Sequence, residues 1–198
     1  MAGYSSYSLK SVKKKFGLSS INKILFEHVV PIEPSDWLKM SIQRGKKVAT
    51  VTEKSRSEWI VAPILLEMKA LNMDKLGILS GENLDIDKEA SLTGECDFVF
   101  SLNPFAQFIE TPIFCMIEAE KNDISTGMGQ CIAQMIGARM LNEQDGIHFP
   151  AIYGCVTTGW DWKFLKLEGS TVTIDEDLRY LGEIPNLLGI FQAIIDAF

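Results

Sequence analysis

Apolar residues in this chain fall with a helical period in some stretches and in short, bounded blocks in others. Residues 55–71 put Trp59, Ile60, Ile64 and Leu65 on one stripe, which predicts a helix with that face buried. Ser55 and Glu58 stand at capping-box spacing, so the helix is expected to begin at Ser55, and Pro63 to kink it or mark its first straight turn. Three blocks rich in branched and aromatic residues follow, at 76–86 (interrupted by Ser80 and Gly81), 92–102 and 111–120, and read as strands. Asp123 can cap a helix over 124–142 that aligns Ile132, Met135, Ile136 and Met140, and Asp145-Gly146 signals the turn after it. Strands are expected at 151–157, 162–167 and 171–174. Pro185 then introduces a closing helix that buries Leu187, Leu188, Ile190, Phe191, Ile194, Ile195 and Phe198.

Ahead of this core, residues 8–16 form a short basic helix, 31–34 a proline-flanked linker and 35–44 a second helix. The expected organisation is a basic N-terminal extension over 1–54 packed on a domain over 55–198. The order helix, three strands, helix, strand implies an α/β sandwich on a mixed sheet.

Composition narrows the class. With 198 residues, 46% hydrophobic and 23% charged, the chain can bury one sizeable core. No apolar run approaches the roughly 18 residues that span a bilayer, and the lysine-rich start lacks an apolar stretch with a cleavage site, so no membrane partner and a cytoplasmic address are expected. Cys96, Cys115, Cys131 and Cys155 are far apart, form no CxxC pair and are expected as free thiols in the core. The net charge is −7, yet residues 1–57 hold 11 Lys or Arg against 4 Asp or Glu. That basic third could face a polyanion while the acidic remainder houses a cation.

The chemistry concentrates in GECDFVF at 94–100 and PIFCMIEAEKND at 112–123, two apolar strands that each break into acid. A hairpin centred between Gln107 and Phe108 makes Asp97 and Glu118 cross-strand partners, with Cβ atoms roughly 5 Å apart. Strand alternation puts Glu120 on the face of Glu118. Three carboxylates are thereby expected to converge, and such a set calls for a divalent cation. Magnesium, or manganese in its place, suits oxygen ligands better than zinc does.

The segments SEWIVAPIL (57–65), LTGECDF (92–98), IEAEK (117–121), GMGQCIAQM (127–135) and YGCVTTG (153–159) together resemble the PD-(D/E)XK restriction-endonuclease-like superfamily, and in particular uncharacterised bacterial members of it. The resemblance implies a restriction-endonuclease-like sandwich with an αβββαβ core. It makes Asp97 the aspartate of the motif and Glu118 its (D/E), both metal ligands, with the Ala119 carbonyl as a further ligand. Glu58 matches a helix glutamate that faces the metal, or serves only as the capping partner of Ser55. Gln130 and Gln134, one turn apart, can both contact the site or a substrate phosphate, as the resemblance implies for Gln130, while solvent is the preferred place for Gln134. Gly127 and Gly129 suggest a close approach to their helix.

One departure concerns the motif lysine, whose position holds Glu120, with Lys121 one residue later. Either Glu120 acts in an E-x-E variant or a bulge swings Lys121 inward. The function implied is metal-dependent phosphodiester hydrolysis of nucleic acid, DNA foremost, with room for a homodimer. The alternative is a nuclease-fold domain without turnover, acting as a nucleic-acid-binding or assembly module. A small-molecule enzyme finds no Gly-rich phosphate loop or nucleophile elbow here.

Overall fold

The computed structural model describes residues 3–48, 51–120 and 123–198. It is an α/β structure with one open, mixed, eight-stranded sheet flanked by helices. The elements are α1 (Leu9–Phe16), β1 (Ser19–Lys23), α2 (Asp36–Gly45), α3 (Glu53–Arg56), α4 (Ala62–Leu71), β2 (Gly77–Asn83), β3 (Glu95–Ser101), β4 (Ile113–Ala119), α5 (Ile124–Gln144), β5 (Ile152–Thr157), β6 (Asp161–Glu168), β7 (Thr171–Asp175), β8 (Arg179–Tyr180) and α6 (Ile184–Asp196). The sheet order is β1-β7-β6-β5-β4-β3-β2, with β8 on β6. β4 and β5 are parallel, as are β1 and β7; the other pairs are antiparallel. From α4 to β5 the order is the expected helix, three strands, helix, strand.

Each face of the sheet carries its own core. Phe98, Phe100, Phe114, Trp162 and Phe164 pack under α2, α4 and α6, where Phe191 meets the rings of Phe100, Trp162 and Phe164. The other face is built from aliphatic and sulfur side chains, among them Cys96, Val99, Met116, Met135 and Val156, beneath α5 and α1. All four cysteines are free and buried. Helix α5 is buried on nearly all sides because the sheet lies under it and the N-terminal segment over it. No helix among the described residues is long and apolar enough to cross a membrane.

The helix expected to begin at Ser55 begins earlier and is interrupted. Thr52 is its cap, its hydroxyl accepting from the Ser55 N–H at 3.1 Å. A π turn, Ser57–Val61, separates α3 from α4. The physical cause is Pro63, which has no N–H for the Trp59 carbonyl, so the chain widens by one residue per turn before Ala62. That widening rotates Trp59 out of the expected buried stripe, and it is 51% exposed.

Residues 3–48 contribute to both cores and to the sheet. Strand β1 pairs with β7 from Ser19↔Thr171 to Lys23↔Asp175. Leu38 and Ile42 of α2 are buried against the α4 side, and Tyr4, Val12 and Leu18 against the α5 side. A single 3-10 turn, Tyr4–Ser6, is held by the Tyr4 N–H on the Thr93 carbonyl at 3.0 Å.

Candidate functional site

Strands β3 and β4 pair with Phe98 opposite Ile117 and Val99 opposite Met116, the register that the hairpin arithmetic requires. One step further along, backbone pairing gives way to a side chain: the Asp97 carboxylate accepts the Ala119 N–H at 2.7 Å. Glu118 lies next to it on the α5 face of the sheet, 5% exposed. Its Oε2 accepts from the Gln134 amide at 2.8 Å, and its Oε1 from the Gln130 amide. The Asp97 and Glu118 carboxyl groups are close enough for each to shift the ionisation of the other.

Burial drives the electrostatics of this pair. It pushes the Asp97 carboxyl up, with the charges of Glu53 and Glu95 adding to it and the Ala119 N–H opposing. It pushes Glu118 well above the usual carboxylate range, helped by the charges of Asp97 and Glu120 and opposed by the Gln134 amide. Two carboxyls in contact inside a poorly solvated site share a proton or need a cation.

Glu120 follows the end of β4. Its N–H donates to the Thr157 carbonyl at 2.7 Å, and its Oε2 accepts from the Thr126 hydroxyl at 3.2 Å. Gly127 makes room for it, since a Cβ there would stand 2.6 Å from the Glu120 side chain. Glu118 and Glu120 thus both reach toward the first turns of α5. The expected convergence of three carboxylates is only partly met: among the described residues no group of three or more His, Cys, Asp or Glu side chains is arranged to hold a metal ion. Lys121 lies outside the described residues.

These groups open onto a groove of about 600 Å³ lined by Asp97, Glu118, Ala119, Glu120 and Gln130, with Glu53 and Glu95 adding acid and Gly3, Tyr4 and Ser5 forming the facing wall. A smaller cleft of about 350 Å³ shares Asp97, Ala119, Glu53 and Glu95 with it and extends to Lys54, Ser57 and Glu58. Glu58 therefore sits on the rim, 3.9 Å from the Lys54 ammonium, and is not the partner of Ser55 in a cap.

Two side chains stand differently from expectation. Gln134 is fully buried and holds Glu118, not solvent. It lies one helical turn after Gln130, and that i, i+4 spacing was the available signal. Tyr4, in the groove wall, carried no signal, because it reaches the site only through docking of the N-terminal turn. The expected close approach at α5 is present: a Cβ on Gly129 would stand 2.4 Å from the backbone of Tyr7 and Ser8. No protein-family model matches the chain, and no curated protein sequence matches it.

Proposed function

We propose that the chain is a metal-dependent phosphodiesterase acting on nucleic acid, DNA foremost, built on a restriction-endonuclease-like αβββαβ core. The observation that carries this reading is the Asp97–Glu118 pair: two adjacent carboxyls at the end of a β hairpin, facing an open groove, both raised by burial, with the charge of Asp97 adding to the rise of Glu118. The donor set of that groove is oxygen throughout, which suits magnesium or manganese. Asp97, Glu118, the Ala119 carbonyl and Glu120 would hold the cation. When bound it supplies polarisation of a phosphate oxygen and a more acidic water.

The chain's own groups do the remaining work. The Gln130 and Gln134 amides fix both oxygens of Glu118, leaving further lone pairs toward the groove. The Ala119 N–H orients Asp97. Glu120, bonded by the Thr126 hydroxyl, would position the attacking water in this reading, and Lys121 is the alternative for that role. Glu53, Glu58 and Glu95 make the rim acidic, so a polyanion is held there only with cations present.

A second reading, a nuclease-fold module without turnover that binds nucleic acid or an assembly partner, draws on the capping of both Glu118 oxygens by amides. One experiment separates the two. Linear and supercoiled DNA are incubated with parent and Asp97→Asn in magnesium, manganese or chelator. Cation-dependent cleavage by the parent, lost in the variant, supports the enzyme; no cleavage with retained nucleic-acid binding supports the module.

A further inference from the structure

Beside the carboxylate groove lies a second one of different character. It holds about 590 Å³ and is lined by Trp37, Arg44, Val48, Trp59, Pro63 and Leu66, between α2 and the helix containing the π turn. Trp37 and Trp59 are 49% and 51% exposed. The groove is rigidly framed: a Cβ on Gly45 would stand 2.2 Å from the Trp59 carbonyl, so α2 and the π turn touch backbone to backbone.

Two further observations say what such a surface accepts. The first is charge. Arg44, at the groove, and Lys46 and Lys47, next to its lining residues, have no ion-pair partner among the described residues. On a chain of net charge −7 this is a local concentration of uncompensated cations. The one acid in the lining, Glu58, is already paired with Lys54. The second is continuity. Glu58 lines both this groove and the cleft that contains Asp97 and Ala119, so the two adjoin at its side chain.

Indole faces beside unpaired cations recognise flat rings strung on an anionic backbone. We infer that this groove seats unpaired nucleotides of a single strand, bases on Trp37 and Trp59 and phosphates near Arg44, Lys46 and Lys47, and delivers that strand past Glu58 to the carboxylate pair. The inference rests on the nucleic-acid reading of the carboxylate groove and adds the strand form of the substrate: a single strand, or a duplex with a frayed or overhanging end. Base stacking on an exposed ring tolerates any sequence, so selectivity here is for unpaired structure.

The test is anisotropy of a short labelled oligothymidylate, and of a blunt duplex of equal length, in calcium, with parent, Trp37→Leu, Trp59→Leu and Trp59→Phe. Because both rings are half exposed, the leucine variants should fold, which circular dichroism checks. Each leucine variant is expected to bind the single strand about tenfold more weakly, the phenylalanine variant to recover most of that loss, and the duplex to bind equally to all. Unchanged single-strand affinity in both leucine variants overturns the inference. So does a parent dimer that the leucine substitutions dissociate without altering DNA binding, which makes the groove a contact between copies. Magnesium-dependent cleavage, measured in parallel, separates the two readings. Cleavage with no effect of the tryptophans removes only the strand groove, binding through the tryptophans without cleavage removes only the enzyme, and neither binding nor cleavage removes both.

Discussion

The Asp97 carboxylate accepts the backbone N–H of Ala119 at 2.7 Å, replacing a rung of the β3–β4 ladder with a side chain. The acid is thereby held against Glu118 by the architecture of the hairpin itself, and both carboxyls must be accommodated whether or not a cation is bound.

Asp97→Asn keeps an oxygen for the Ala119 N–H and turns the carboxyl–carboxyl contact into an amide donating to Glu118. The cation-free variant is expected to be more stable than the parent at neutral pH by about 1.5–3 kcal/mol, the scale of a hydrogen bond to a charged group. Its manganese affinity should fall at the same time. Urea unfolding and calorimetric titration read the two effects, and loss of stability in the variant would contradict this account.

The pH dependence follows from the raised carboxyls of Asp97 and Glu118. The folded chain binds protons at these groups more tightly than the unfolded chain. Their contribution is therefore fully present below the unfolded carboxylate range, near pH 4, and is lost as pH rises through their raised folded values. Without a cation, this pair makes the fold less stable at pH 7.5 than at about pH 5.5, and manganese should flatten the difference. Thermal melts across that window with chelator or manganese check the sign.

Gln134 donates the buried hydrogen bond that opposes the upward shift of Glu118. Gln134→Met retains much of the volume and removes the donor. Glu118 should then titrate still higher and bind manganese only at higher pH. A shift in the pH midpoint of manganese binding, with the fold intact by circular dichroism, is the expected readout; an unchanged midpoint would leave Gln134 a packing residue.

Two glycines of α5 should behave differently on conversion to alanine. At Gly127 the new methyl meets the Glu120 side chain and, at 2.8 Å, the buried Val156 side chain, so Gly127→Ala should disturb Glu120 and reduce cleavage by more than its cost in stability explains. At Gly129 it meets the backbone of Tyr7 and Ser8, which cannot rotate away, and Gly129→Ala should destabilise by about 1–3 kcal/mol. Comparing melting temperature with cleavage rate for the two variants makes the distinction.

Two groups of cations in the N-terminal third lie apart from each other. Lys13 donates to the Ser20 hydroxyl of β1, an edge strand four positions from β4, roughly 19 Å away at ordinary strand spacing. Lys46 and Lys47 follow the end of α2, beside the tryptophan groove. Reversing Lys46 and Lys47 should flatten the salt dependence of DNA binding, and reversing Lys13 and Lys14 should not. Affinity titrations at several salt concentrations distinguish the pairs.

The β3–β4 register was legible because both strands alternate and end in acid, leaving the loop centre to be counted. A bulge between Phe100 and Ser101 lies outside that counting, on the loop side of the site. Strand β1 was not legible: SSINK has one large apolar residue, Ile21, itself 48% exposed, and the segment is a strand because β7 offers it an edge. Trp59 was misplaced because a uniform helical period cannot anticipate the residue added by the π turn. Gln134 was misplaced because a polar side chain on a helix is ordinarily solvated, and only the buried carboxylate opposite draws it inward.

The wall of the groove formed by Gly3, Tyr4 and Ser5 is fastened by side-chain packing more than by backbone hydrogen bonds. Between residues 3–7 and the rest of the described structure, the backbone hydrogen bond outside regular elements is the one from Tyr4 to Thr93, supported by the buried Tyr4 ring and a bond from the Tyr7 hydroxyl to the Ala90 carbonyl. The sheet beneath is held by continuous ladders. Opening this turn therefore requires far less free energy than opening the sheet, and in native-state hydrogen exchange the Tyr4 amide should report a local, fast-exchanging unit while those of β4 report global unfolding. Exchange of that kind would mean that one wall of the groove sheltering the carboxylates opens on its own timescale, so that ligand entry is not limited by the stability of the fold.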